Sequence, residues 1–128
     1  MKLVREHITE DFKSIFRPLS QEQIIDEIKH MSIKEKNERL LAASRAGDTK
    51  VVELLLRAEA DVNAKDNDNW TALMFASYKD RRDVVELLLQ AGAKMNVKTN
   101  GGWTALTLAS LNENKEIVEL LKQYGAKE

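Results

Sequence analysis

The chain has 128 residues, of which 43% are hydrophobic and 32% charged, with 20 Lys plus Arg against 21 Asp plus Glu. That composition describes one globular domain with a heavily charged surface, not a disordered tail. A net charge of −1 gives no basic excess for a nucleic-acid partner, and the absence of Cys excludes disulfides, thiolate metal sites and Cys nucleophiles.

The opening MKLVREHITEDF carries acids early and has no continuous apolar stretch, so it does not read as a secretory signal. No apolar run approaches the ~20 residues that span a bilayer. Ile8, Phe12, Ile15 and Phe16 can line one face of a short helix that stops before Pro18. Such an element is either a cap on the body or a segment offered to a partner. Ser20-Gln21-Glu22-Gln23 fits a capping box, and Ile24, Ile25, Ile28 and Met31 follow at helical spacing. A second box, Ser32-Ile33-Lys34-Glu35, opens a long helix.

From here the chain repeats itself. Trp70 and Trp103 lie 33 residues apart, and the stretches Trp70–Ala93 and Trp103–Ala126 match at 13 of 24 positions without a gap. Another step of 33 back, VVELLL at residues 51–56 falls on VVELLL at 84–89 and IVELLK at 117–122. Each unit resolves into two short helices. Thr71 and Thr104 are N-caps for ALMFASY and ALTLASL. After a polar break, Val84, Leu87 and Leu88 form one apolar stripe, and Ile117, Leu120 and Leu121 form its equivalent. Asp83 and Glu116 suit the positive end of the helix dipole. Gly92 and Gly125 fall where a left-handed residue ends the helix. Helix pairs this short bury their stripes only by stacking on one another, and about three units suffice.

The unit resembles the ankyrin repeat. ADVNAKDNDNWTALMFAS, VVELLLQAGA, GGWTALTLAS and IVELLKQYGA carry the resemblance over residues 37–128. It implies turn fingers projecting at right angles to the helices and a concave face used for protein binding. Some positions depart from the family pattern. Thr-Pro-Leu-His appears as Thr71-Ala72-Leu73-Met74 and Thr104-Ala105-Leu106-Thr107, which removes a side-chain-to-backbone hydrogen bond that the His implies. The Gly between helices is kept at Gly47 but becomes Asp80 and Glu113, and Glu59 sits where Gly92 and Gly125 sit. At the C-terminal end, Leu41 and Met74 give way to Thr107, Leu56 and Leu89 to Lys122, and Val62 and Met95 to Glu128, the polar substitution expected of a terminal cap.

No constellation for chemistry emerges. His7 and His30 lie outside the repeats without metal spacing, and Asn100-Gly101-Gly102 is a turn, not a phosphate loop. No catalytic residue, cofactor or metal is assigned. By resemblance, the concave face takes Arg45, Lys65, Asn67, Asp68, Trp70, Tyr78 and Lys79, then Lys98, Asn100, Trp103, Leu111 and Asn112. Exposed Trp, Tyr and Arg are common binding hot spots, although a Trp before the Thr can equally pack on the adjacent finger.

The expected fold is all-α: an ankyrin-repeat solenoid of stacked helix-turn-helix units behind an N-terminal helical cap. The expected domains are a cap or extension at 1–36 and a repeat domain at 37–128, with repeats near 37–65, 66–98 and 99–128. The expected function is noncatalytic binding of a protein partner as an adaptor, inhibitor or immunity-like protein. The chain is expected to be cytoplasmic and monomeric, with the N-terminal end as the place for any self-association. No membrane and no nucleic acid partner is expected. The alternative is an enzyme or small-ligand binder using groove carboxylates such as Asp66, Asp68 and Asp80. A weaker nucleic-acid reading would use Arg45, Lys65, Lys79 and Lys98 and show steep salt dependence.

Overall fold

The computed structural model describes residues 20–127. The segment holding His7, Ile8, Phe12, Ile15, Phe16 and Pro18 lies outside the described residues, as does Glu128. Seven helices are present among the described residues: α1 (Gln21–Lys29), α2 (Ile33–Ala46), α3 (Thr49–Arg57), α4 (Ala72–Tyr78), α5 (Arg82–Gln90), α6 (Ala105–Leu111) and α7 (Lys115–Gln123). At seven residues, α4 and α6 are far below the ~12–15 that an isolated helix needs in water, so packing must hold them. The first helices of the pairs, α2, α4 and α6, stack in one row, and the second helices, α3, α5 and α7, stack in another.

The core follows the 33-residue register. Leu55, Leu88 and Leu121 are fully buried at equivalent positions, as are Val52 and Val85, and Val84 and Ile117. Each such side chain contributes about 1.5–3 kcal/mol relative to exposure. Ala72, Ala76, Ala105 and Ala109 are buried in α4 and α6, and their small size lets neighbouring first helices approach closely.

Five of the seven described helix starts are closed by a side-chain cap; α5 and α7, behind Arg81 and Asn114, are not. Ser20 and Gln23 form the expected capping box at α1. The second box closes on one side only: the Ser32 hydroxyl accepts the Glu35 N–H at 3.2 Å, and Glu35 makes no return bond. The hydrogen bond expected to disappear with the His of the family pattern is retained by other chemistry. The Thr71 N–H donates to the Met74 thioether sulfur at 3.4 Å, and the Thr104 N–H donates to the Thr107 hydroxyl oxygen at 2.6 Å. Both replacements have an acceptor at the third helical position, which is all that the cap requires.

Helix ends turn through left-handed residues. Between the helices of each pair these are Gly47 (φ 80°), Asp80 (φ 60°) and Glu113 (φ 57°). After the second helices they are Glu59 (φ 69°), Gly92 (φ 86°) and Gly125 (φ 101°). Three of the six lack glycine, so the turn geometry is imposed by the stack and not by residue preference.

Side chains also tie each layer to the one before. The Asn63 and Asn96 amide oxygens accept the Lys94 and Lys127 N–H groups of the next repeat at 2.8 and 3.1 Å, and within the first repeat the Asn37 amide oxygen accepts the Asp61 N–H at 2.9 Å. Arg81 Nε donates to the Arg45 carbonyl at 3.2 Å, and Asn114 Nδ2 donates to the Ser77 and Tyr78 carbonyls at 2.7 and 3.2 Å. These bonds satisfy C-terminal carbonyls that a helix leaves unpaired. Arg82 pairs with Glu116 between α5 and α7.

The two ends of the stack differ. At the first, Ile28 of α1 is buried in the common core, with Ile24, Ile25 and Met31 packed partly against it. At the other, Thr107 is half-buried and Lys122 exposed. Ser110 is exposed where Ser44 and Ser77 are fully buried, and Val118 is half-buried where Val85 is fully buried. That contrast is the direct imprint of a missing next layer among the described residues.

Candidate protein-binding surface

Two hairpin fingers precede α4 and α6. In the first, Lys65 and Thr71 form an isolated antiparallel bridge, and the Asp66 N–H donates to the Trp70 carbonyl at 3.0 Å. One Asp66 carboxylate oxygen accepts both the Asp68 and the Trp70 N–H at 2.9 Å. In the second finger Thr99 takes that role. Its N–H donates to the Trp103 carbonyl at 2.8 Å, and its hydroxyl accepts the Trp103 N–H at 3.1 Å. Asn69 (φ 65°) and Gly102 (φ 88°) supply the left-handed residue of each finger. The fingers are bonded neighbours: the Asn100 N–H donates to the Asp68 carbonyl at 3.0 Å, and Asn100 Nδ2 to the Asn67 carbonyl at 3.4 Å.

The bonded fingers carry Trp70 and Trp103 at equivalent positions of adjacent layers, and the Trp70 ring lies against Tyr78 at the C-terminal end of α4. Trp70 is half-buried, with its ring centroid 5.1 Å from Phe75 and 5.8 Å from Tyr78, the latter edge to face. Lys79 Nζ stands 5.7 Å from the centroid of the Tyr78 ring. Trp103 is 43% exposed and Leu111 57% exposed, one layer on from Trp70 and Tyr78. Each of the two residues that face water has a half-buried equivalent in the layer before.

The sequence-derived site residues therefore divide by what they touch. Lys65, Asn67, Asp68, Lys79 and Lys98 are exposed, as is Arg45, whose carbonyl receives Arg81. Asn100 holds the fingers together. Asn112 donates from Nδ2 to the Tyr78 carbonyl at 2.7 Å, a structural bond between layers. Trp70 packs on its own repeat, and Tyr78 shares that packing. Trp103 and Leu111 have large apolar surfaces in water. Phe75 belongs to the aromatic group and is not among the sequence-derived residues. Its signal was present as the residue three before Tyr78, on the same helix face.

The acids of the alternative reading do not converge. The Asp66 oxygen is occupied by two backbone amides, and Asp68 is exposed on the finger, where its carbonyl receives Asn100. Asp80 is a left-handed turn residue. The groove that contains Asp61, Asp66 and Glu38 is an open one of about 620 Å³ shared with Lys34 and Lys65. No group of three or more His, Asp and Glu side chains arranged to hold a metal occurs among the described residues.

The family model described as ankyrin repeats (3 copies) matches residues 21–99 and 40–128. No curated protein matches the sequence. With the 33-residue register, paired helices and bonded fingers on the page, the chain belongs to the ankyrin-repeat family, whose repeats are in general noncatalytic modules for protein–protein interaction.

Proposed function

We propose that this chain binds a protein partner through the side formed by the fingers and the first-helix ends, the concave face of the family, and acts as an adaptor, inhibitor or immunity-like protein. The observation that carries the reading is the exposure of Leu111 and Trp103, one layer on from the packed pair Trp70 and Tyr78. Water alone gives no reason for a leucine at position 111, and a cluster of large apolar side chains at the surface is characteristic of an interface. Lys79, beside the Tyr78 ring, puts a positive charge at the edge of the patch, which suits a partner bearing an acidic group there. A monomer in the cytoplasm is part of the same proposal. No helix among the described residues is long and apolar enough to cross a membrane.

The test compares affinity purifications with the wild-type chain and with Leu111→Lys, which keeps a helix-forming residue and places a cation at a helix C-terminus. A hot spot is worth ~2 kcal/mol, roughly 30-fold in affinity. The partner recovered by the wild-type chain should be strongly depleted with the variant, at unchanged melting temperature. Equal recovery contradicts the proposal.

A further inference from the structure

Among the described residues no finger precedes the first repeat. The residues 33 before Lys65–Trp70 belong instead to the connector and first turn of α2, which begins at Ile33. The first finger consequently has a finger neighbour on one flank only. On that flank Asn100 donates its N–H and Nδ2 to the Asp68 and Asn67 carbonyls. Asn67 is the equivalent of Asn100, one repeat earlier. Its N–H and Nδ2 have no hydrogen-bond partner among the described residues. Between Asn67 and the first half of α2 runs the open groove of about 620 Å³. Ile33 and Leu41 supply its apolar wall, and Ile33 is 57% exposed.

We propose that this groove takes an extended or turn-forming segment of a partner protein, standing where a preceding finger would stand. The segment offers two successive backbone carbonyls to the Asn67 N–H and Nδ2, and an apolar side chain to Ile33 and Leu41. The finger-to-finger contact in this chain is the template for the recognition, since Asn100 already reads two successive carbonyls in this way. The wall charges favour a peptide over an ion: Lys34 and Lys65 sit among Glu38, Asp61 and Asp66, a net charge of −1 that disfavours an anion, and no three acids arranged to hold a metal occur among the described residues. The inference rests on the protein-binding reading and extends it to a second surface.

The test uses nuclear magnetic resonance on the isotope-labelled full chain. In the free chain, the Asn100 amide should be protected from hydrogen exchange and the Asn67 amide should not. Protection of Asn67 would mean that the chain fills its own groove, and would overturn the proposal. The probe is a cyclic peptide carrying the sequence of residues 64–71, the finger that already presents the required carbonyls. Saturable shifts are expected at the Asn67 backbone and side-chain amides and at the Ile33 methyls, with half-saturation on the order of 1 mM. They should vanish in Ile33→Glu, which introduces a good first-turn residue at an exposed position, and persist in Leu111→Lys. Silence at roughly 5 mM, several-fold above that half-saturation, shifts centred on Trp103 and Leu111, or shifts that survive Ile33→Glu overturn the assignment. Because Leu111→Lys probes only the other surface, failure of one proposal is distinguishable from failure of the other.

Discussion

Glu59→Gly should stabilise the protein. Glu59 holds φ 69° at a position where the next two repeats have glycine at φ 86° and 101°. A left-handed residue with a Cβ carries ~1–2 kcal/mol of steric cost. Glycine relieves that cost but adds backbone entropy to the unfolded chain, an offset of ~0.5–1 kcal/mol. The Glu59 side chain is exposed and makes no hydrogen bond or ion pair among the described residues, so its removal forfeits nothing else. The net expectation is a gain of ~0.5–1 kcal/mol, roughly 2–4 °C for a domain of this size. The reciprocal change is Gly92→Ala. A Cβ at Gly92 meets no atom within 4 Å, so its loss of stability should reflect φ alone and come to about 1 kcal/mol. Thermal and urea unfolding followed by circular dichroism would measure both. A melting temperature that falls or stays level in Glu59→Gly, with no loss in Gly92→Ala, would refute the reasoning.

Two further substitutions probe the polar interior. The hydroxyls of Ser44 and Ser77 are buried without a partner, so Ser77→Ala should raise stability by ~1 kcal/mol, while Ser110→Ala at the exposed equivalent should change it by a few tenths through helix propensity alone. Urea denaturation midpoints separate the two. Asn63→Ala deletes the half-buried acceptor of the Lys94 N–H and should cost ~1–2 kcal/mol, against less for Asn96→Ala at an exposed site; equal small losses would show that the amide ladder does not hold the layers.

The periodic features were legible because they are local. A threonine before ALMFASY caps a helix wherever it occurs, and a stripe at Val84 and Leu88 reads the same in any copy. The left-handed backbone at Glu59, Asp80 and Glu113 was legible only through comparison with the glycines one repeat away. The links between layers were not readable from residue type. Arg81 and Asn114 differ chemically, yet both reach a carbonyl at the end of the preceding first helix, because the stack brings that carbonyl close. Asn112 looked like a contact residue for the same reason: a polar side chain at a helix end gives no sign that a neighbouring layer has an acceptor for it. The family match begins at residue 21, inside the region read as a cap, where the chain dispenses with a finger and runs Ser32 straight into α2.

The central claim is that the residues on the finger side divide into those that hold the stack and those left free for a partner. The most direct measurement pairs partner affinity with melting temperature for Leu111→Lys and Asn114→Ala. Leu111→Lys should weaken binding roughly 30-fold or more and leave the melting temperature unchanged. Asn114→Ala, which removes two bonds to the α4 carbonyls, should cost ~1–2 kcal/mol of stability and leave affinity intact. The opposite pattern, with stability lost at Leu111 and affinity lost at Asn114, would contradict the account.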